Sequence, residues 1–359
     1  MKKNSYLLLA LGLSAVASTL PSARAADVLL ITSAELADSW KPFAEWKTKQ
    51  GKSTEVVTVA DIAKSYEGVD VQEKIRKCVR ENIDKKTKWV VLGGDSLPGG
   101  VGVVPDRDTV HKTMWGENKD IPTDIYYLSA TNWDADNDGI YGEFEDDKTA
   151  ISYPDGSVGL GRIPVRTTED VEAYTDKVIS YESNYPGGDF KDSMTYACEV
   201  AGAYAKVRRS WDDHVSKVLP KRGMVRYFSD STPWDTNTAG DYQLSPANWV
   251  KMINEKKVGK FHFHGHGLIQ GWALEDHKMF TAEHVNQLTN KDAYPIITTV
   301  SCFTGHYDAA KDPSIAESML RKADGGAIAL VAPCREGKPH FMNPRGDFAL
   351  MEVEGKMDG

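Results

Sequence analysis

Ile296-Ile297-Thr298-Thr299-Val300-Ser301-Cys302-Phe303-Thr304-Gly305 is the stretch on which the fold class turns. Its first five residues are apolar or β-branched, without the polar alternation of a half-exposed strand, so they predict a strand covered on both faces. The run ends on a cysteine and turns at a glycine, which places a thiol at the end of that strand. In open α/β sheets this carboxyl edge is where ligands and chemistry gather. A cysteine standing alone is more often a small core residue, so the meaning of Cys302 depends on what else the chain brings to the same edge.

Similar β-rich runs recur at Asp27 to Thr32, Thr54 to Ala60, Trp89 to Gly93, Asp124 to Leu128, Ser157 to Ile163, Met194 to Val200, Val225 to Phe228, Phe261 to His264 and Ala327 to Val331. Helical patterns lie between them. Asp70 heads a helix whose Ile75, Cys78, Val79 and Ile83 share one face, and Thr167-x-x-Asp170 forms a capping box ahead of Val171, Tyr174, Val178 and Tyr181. Pro313 fits a first helical position, with Gly325 past the last turn. Alternation of strand and helix predicts an α/β fold with a doubly wound, mainly parallel sheet. The loop signal Tyr185-Pro186-Gly187-Gly188-Asp189 divides it into two packed subdomains, 26–188 and 189–359.

The partner for Cys302 is sought in Phe261-His262-Phe263-His264-Gly265-His266-Gly267, a strand running into a glycine-flanked turn. Alternate side chains share a face in a strand, so His262, His264 and His266 together could hold zinc in a secreted hydrolase. In the other reading only His266 is chemical, and His262 and His264 pack within the sheet. Cys/His catalysis needs the two groups near in space rather than in sequence, and His266 and Cys302 both end apolar strands. Cys78 and Cys198 read as core.

Asp134-Ala135-Asp136-Asn137-Asp138-Gly139, with Glu145 at the twelfth position, has the carboxylate spacing of a Ca²⁺ loop. The ligands would be Asp134, Asp136, Asp138, the Ile140 carbonyl and Glu145, around a structural ion. Helices of the kind that flank an EF-hand are missing, so the loop would sit inside another fold.

Composition limits the remaining classes. Over 359 residues, 41% are hydrophobic and 26% charged, which is ordinary for a globular chain. The net charge of −9 disfavours nucleic-acid binding. Lys2 and Lys3 precede an apolar run from Tyr6 to Leu20, followed by Ala23-Arg24-Ala25, so residues 1–25 read as a secretory signal peptide, with the mature chain beginning near Ala26. No later run reaches membrane-spanning length.

These residues, in this order, resemble the gingipain-type cysteine peptidases of peptidase family C25, which share the caspase-like α/β fold. The likeness runs from about Asp27 to Asp347: Glu45-Trp46-Lys47, Gly93-Gly94-Asp95, Gly161-Arg162-Ile163-Pro164, Lys177, Tyr181 and Glu182 in the first half. In the second half it continues through His266-Gly267, Trp272, His284-Val285, Cys302-x-x-Gly305 and Ala316-Glu317-x-Met319-Leu320-Arg321.

The resemblance implies a secreted endopeptidase that acts on proteins or peptides. Cys302 would be the nucleophile, His266 the proton-handling group, and the N–H groups of Gly267 and Cys302 the oxyanion donors, with a substrate pocket formed by Trp272, Asp212 and Phe341. Two features depart from the family. Ala203 stands where its supporting glutamate aligns, and Trp211 stands where its P1-selecting acid aligns, with Asp212 and Asp213 only adjacent. The chain also ends short of the family's last strand-like segment, so the catalytic half reads as C-terminally incomplete, and an inactive exported binding module is the alternative.

Overall fold

Val28–Thr32 (β1), Thr54–Thr58 (β2), Trp89–Gly93 (β3) and Gly159–Ile163 (β4) make one parallel sheet in the order β2-β1-β3-β4. A second parallel sheet contains Met194–Cys198 (β5), Met224–Phe228 (β6), Tyr242–Gln243 (β7), Lys260–His264 (β8), Ile296–Thr299 (β9) and Ala329–Val331 (β10). Its order is β7-β6-β5-β8-β9-β10. The computed structural model describes residues 25–113, 116–143, 145–151, 156–188, 190, 193–198, 224–228, 242–255, 258–274 and 278–337. Residues 1–24 of the leader expected over 1–25, with Ala203, Trp211, Asp212, Asp213 and Phe341, lie outside these described residues.

Each sheet begins with a central strand and is extended outward on both sides, which is the doubly wound pattern the sequence predicts. The strand order therefore reverses between β1 and β3, and again between β5 and β8. Such reversals open a crevice at the carboxyl ends of the two neighbouring strands.

Apolar runs form β1 and β3 because both faces of the first sheet are covered. Leu29, Ile31, Val90 and Leu92 pack with Ile62, Ile75, Cys78 and Val79 on one side. Leu30 on the other side packs with Trp40, Phe43, Val171 and Val178, and this layer also contains Tyr294 and Ile328 from the second half. The core of the second sheet is aromatic, with Trp249 edge-on to Phe261 and Phe263 at 4.8 and 5.2 Å.

Two local expectations are corrected. Asp124 to Leu128 is not a strand: Ile125–Leu128 is a 3₁₀ turn that buries Tyr126, Tyr127 and Leu128 in succession. A strand would send alternate side chains to opposite faces, whereas here Tyr127 donates to the Pro105 carbonyl at 2.5 Å and Tyr126 packs edge-on to Trp133. Pro313 is not the first helical residue, because Ser314 caps helix Ile315–Arg321 and forms a capping box with Glu317. Gly325 lies past that helix as expected, and the left-handed residues of the turn are its neighbours Asp324, φ +54°, and Gly326, φ +84°. The hairpin of Arg107–Thr113 and Gly116–Thr123 was not anticipated at all.

Helix Thr168–Ser183 opens with the predicted Thr167/Asp170 capping box and joins the two halves. Its Lys177 is buried, and the three ammonium hydrogens meet three carbonyls of the second half: Met319 at 3.1 Å, Leu320 at 2.9 Å and Ala327 at 3.1 Å. Met319 and Leu320 lie in the last turn of Ile315–Arg321, where helix carbonyls lack internal partners and favour a cation. Burial pushes the ammonium down to about 7, while the three acceptors favour its protonated form. Lys177→Met keeps the side-chain length but strands those carbonyls, so the unfolding free energy should fall by at least about 2 kcal/mol. Urea denaturation measures this, and an unchanged midpoint would remove Lys177 from the joint.

Candidate active site at the carboxyl rim of the second sheet

Pairing of β8 with β9 runs in register from Lys260↔Ile296 to Phe263↔Thr299. His266 and Cys302 each stand three residues beyond that last pair, so parallel pairing delivers both to the same rim. It is also the rim at which the strand order reverses between β5 and β8.

Beyond the strands the two loops are in backbone contact. A Cβ on Gly267 would stand 2.6 Å from Thr304 Cγ2, 2.7 Å from the Cys302 carbonyl and 2.8 Å from Ser301 Cβ. Glycine is required there because the Cys302 loop occupies the space of a side chain. Ser301 Oγ also donates to the Gly265 carbonyl at 2.8 Å, joining the residue before Cys302 to the residue before His266.

The thiol is half-buried, and its Sγ donates weakly to the Gly337 carbonyl at 3.6 Å. Phe303 follows with φ +59°, a conformation a bulky side chain adopts only when its surroundings enforce it. Its N–H donates to the Arg335 carbonyl at 2.9 Å, and Gly305 N–H donates to the Pro333 carbonyl at 2.9 Å. Segment 333–337 therefore backs the cysteine turn. Arg335 in turn grips Asp308 with two bonds of 2.9 and 2.6 Å and donates to the Asp120 carbonyl of the first half. His306 Nε2 lies 3.4 Å from Asp308 Oδ1, and burial lowers its pKa.

His266 is exposed at the start of a three-stranded antiparallel sheet of Gly267–Leu268, Gly271–Ala273 and Met279–Thr281. Ala273 N–H donates to the His266 carbonyl at 2.9 Å, which makes 266/273 a hydrogen-bonded pair. By alternation Gly267 faces Trp272 across a non-hydrogen-bonded pair, and its N–H points away from that neighbour.

Other candidate residues are placed differently. Trp272 is a correction: it is fully buried against Trp249, Phe263 and Phe280, a core side chain rather than a pocket wall. The zinc arrangement is not formed either. His262 is buried with Nδ1 2.7 Å from Thr298 Oγ1, and His264 is buried. Among the described residues, the group of three metal-capable side chains that does converge is Asp134, Asp136 and Asp138, with ligand oxygens within 4.8 Å of one another.

That acidic loop turns sharply at Asn137 (φ +63°) and Gly139 (φ +85°), and Asp134 accepts from Asp138 N–H at 3.1 Å. Three converging carboxylates are the hard oxygen donors Ca²⁺ takes. Glu145 is not part of the convergent group. The carboxylate that closes the loop is buried Asp147, which accepts from the N–H groups of Ala135, Gly142 and Glu143. Sequence reasoning also missed Ser301, Thr299 and segment 333–337, because nothing in a lone Ser, Thr or Gly announces a loop-to-loop bond.

A family model for peptidase family C25 matches residues 22–350. Gingipain R2 of Porphyromonas gingivalis is 24% identical over 301 residues, which is 81% of this chain and 34% of the relative. An uncharacterized protein of Archaeoglobus fulgidus is 22% identical over 84% of this chain and 74% of its own length. Among solved structures, the Arg-specific cysteine proteinase gingipain R superposes with a TM-score of 0.64 at 18% identity, covering 94% of this chain and 69% of that one. The fold is thus the caspase-like gingipain fold, and the chain spans about a third of the gingipain R2 relative.

Of the described cysteine side chains, buried Cys78 and half-buried Cys334 have thiols raised by desolvation, Cys334 to about 11. At pH 8 such thiols stay protonated and react slowly. Limiting iodoacetamide at pH 8 should therefore label Cys302 well ahead of both, as peptide mass spectrometry reads; equal labelling of Cys334 would contradict this placement.

Proposed function

Because the chain belongs to peptidase family C25, we propose that it is an exported cysteine endopeptidase whose Cys302 thiolate attacks a peptide carbonyl and whose His266 handles the proton. The observation that carries the proposal is the close packing of the two loops, with Gly267 in contact with the Cys302 carbonyl. A nucleophile and an acid–base group delivered to one exposed rim fit covalent catalysis.

In the first step the Cys302 sulfur bonds to the carbonyl carbon, and the carbonyl electron pair moves to oxygen. The N–H of Gly267, turned away from the Trp272 strand, and that of Cys302 would receive this oxyanion; losing one such donor costs roughly 3 kcal/mol of barrier. The imidazolium of His266 then protonates the leaving amine as the C–N bond breaks, leaving an acyl-enzyme. Neutral His266 activates the water that hydrolyses it and returns the thiol. The arginine preference named for the solved relative is not carried over, since Trp211 occupies the position that aligns with the family's selecting acid.

The leader read in residues 1–25 assigns this work to the outside of the cytoplasm, and among the described residues no helix is long and apolar enough to cross a membrane. The mature chain, verified by N-terminal sequencing to begin near Ala26, should hydrolyse members of a varied peptide library. Cys302→Ala should reduce turnover at least about a thousandfold with an unchanged circular-dichroism spectrum and melting temperature. Retained hydrolysis would overturn the nucleophile, and peptide binding without cleavage by the unaltered chain would favour the binding module.

The Asp134, Asp136 and Asp138 carboxylates would hold Ca²⁺, and the ion's part is to neutralise three crowded negative charges in the first half. Binding only the folded form stabilises it by mass action, so adding Ca²⁺ should raise the melting temperature and Asp134→Asn should remove that rise. A melting curve insensitive to Ca²⁺ and to chelator would end the calcium assignment.

A further inference from the structure

Ser301 is fully buried between the two loops, and its hydroxyl belongs to a chain of hydrogen bonds whose direction is fixed by its ends. At one end Ser301 N–H donates to Thr299 Oγ1 at 3.1 Å, which makes that oxygen an acceptor. Thr299 must then spend its own hydroxyl proton elsewhere, and it donates to Ser301 Oγ at 2.9 Å. Ser301 is left with one proton for one remaining acceptor, the Gly265 carbonyl at 2.8 Å. The order Thr299 to Ser301 to Gly265 therefore has a single polarity, in a buried setting where such bonds are strong and costly to leave unmade.

The two ends of this chain matter. Thr299 is the last registered residue of β9, and Gly265 is the first residue past β8. Ser301 adjoins Cys302, and Gly265 adjoins His266. The far side of the cysteine turn is held by the same residue, because Thr304 Oγ1 donates to the Ser301 carbonyl at 2.8 Å. Thr304 also packs where a Gly267 side chain would be, so the brace leaves little slack between the loops.

We propose that Ser301 is a positioning residue that sets the distance and orientation between the Cys302 thiol and the His266 imidazole. The proposal rests on the reading of those two side chains as the reacting pair. Ser301 touches no substrate; it acts by tying the backbone of one loop to the other. Its loss lets the loops part, which takes the imidazole away from the thiol it would serve.

The test is the rate of Cys302 alkylation by iodoacetamide as a function of pH, with hydrolysis of labelled casein measured alongside. In the mature chain His266→Ala, as a single substitution, should move the alkylation midpoint to higher pH. Ser301→Ala should move it in the same direction and lower kcat about tenfold to a hundredfold, with KM changed less than about twofold. In the His266→Ala background Ser301→Ala should add no further shift, since the pairing it serves is already gone. Thr299→Val keeps the side-chain shape and removes the hydroxyl that sets the polarity, so it should produce a smaller shift of the same sign even where Ser301→Ala fails to accumulate. If His266→Ala moves the midpoint and neither Ser301→Ala nor Thr299→Val does, the positioning role is refuted while the reacting pair stands. If His266→Ala leaves the midpoint in place, the pair itself fails and this proposal falls with it.

Discussion

The parallel register of β8 on β9 is the constraint on which the site depends. It carries His266 and Cys302 equal distances past Phe263↔Thr299. Side chains alternate with a period of two, so a slip of one residue would turn Phe261 and Phe263 out of the aromatic core and bring Lys260 and His262 toward it. The aromatic packing of Trp249 on those two phenylalanines therefore enforces the register at its base. His262 reinforces it from the other face through Thr298. A core interaction at the base of these strands thus bears on how the two loops meet at the rim.

The inner strands β1, β3, β8 and β9 were legible because they are largely buried and read as apolar runs, whereas the two-residue strand Tyr242–Gln243 was not. The hairpin of Arg107–Thr113 and Gly116–Thr123 was not, since its residues RDTVHKT and GENKDIPT carry no strand pattern that outweighs their charge. Ile125 to Leu128 failed in the opposite sense: four apolar residues look alike in a strand and in a tight turn, and only the partners Pro105 and Trp133 decide. At the site, His and Cys announce themselves by chemistry. The residues that hold them do not, because Ser301 and Gly337 acquire meaning only from what packs across the loop.

Several residues that carry the family resemblance are the joint between the two halves rather than the reaction centre. Arg162 donates two hydrogen bonds to the Asp124 carboxylate and one each to the Gly94 and Val104 carbonyls of its own half, and its guanidinium lies 4.7 Å from the Tyr307 ring of the second half. Lys177 reaches Met319, Leu320 and Ala327 of the second half. Buried Glu317 accepts from Arg321 at 2.5 Å, and Arg321 donates to the Pro164 carbonyl of the first half at 2.6 Å. Removing one partner from such a buried ionic set leaves an uncompensated charge, which is strongly destabilising. Motifs scattered over both halves are what a fold of two interlocked sheets requires.

The two sides of the rim are held unequally, and the asymmetry follows from their attachments. The cysteine turn is fixed from three directions: Arg166 of the first half donates to the Ala309 carbonyl at 2.8 Å, Ala316 N–H of the following helix donates to the Thr304 carbonyl at 3.2 Å, and segment 333–337 binds Phe303 and Gly305. That surplus of ties sustains the left-handed Phe303. The histidine loop leans on the buried Trp272 of its small antiparallel sheet, while His266 itself stands exposed. A firmly held cysteine turn opposite an exposed histidine leaves adjustment to the histidine loop, and the Ser301 bond to Gly265 is what limits that adjustment.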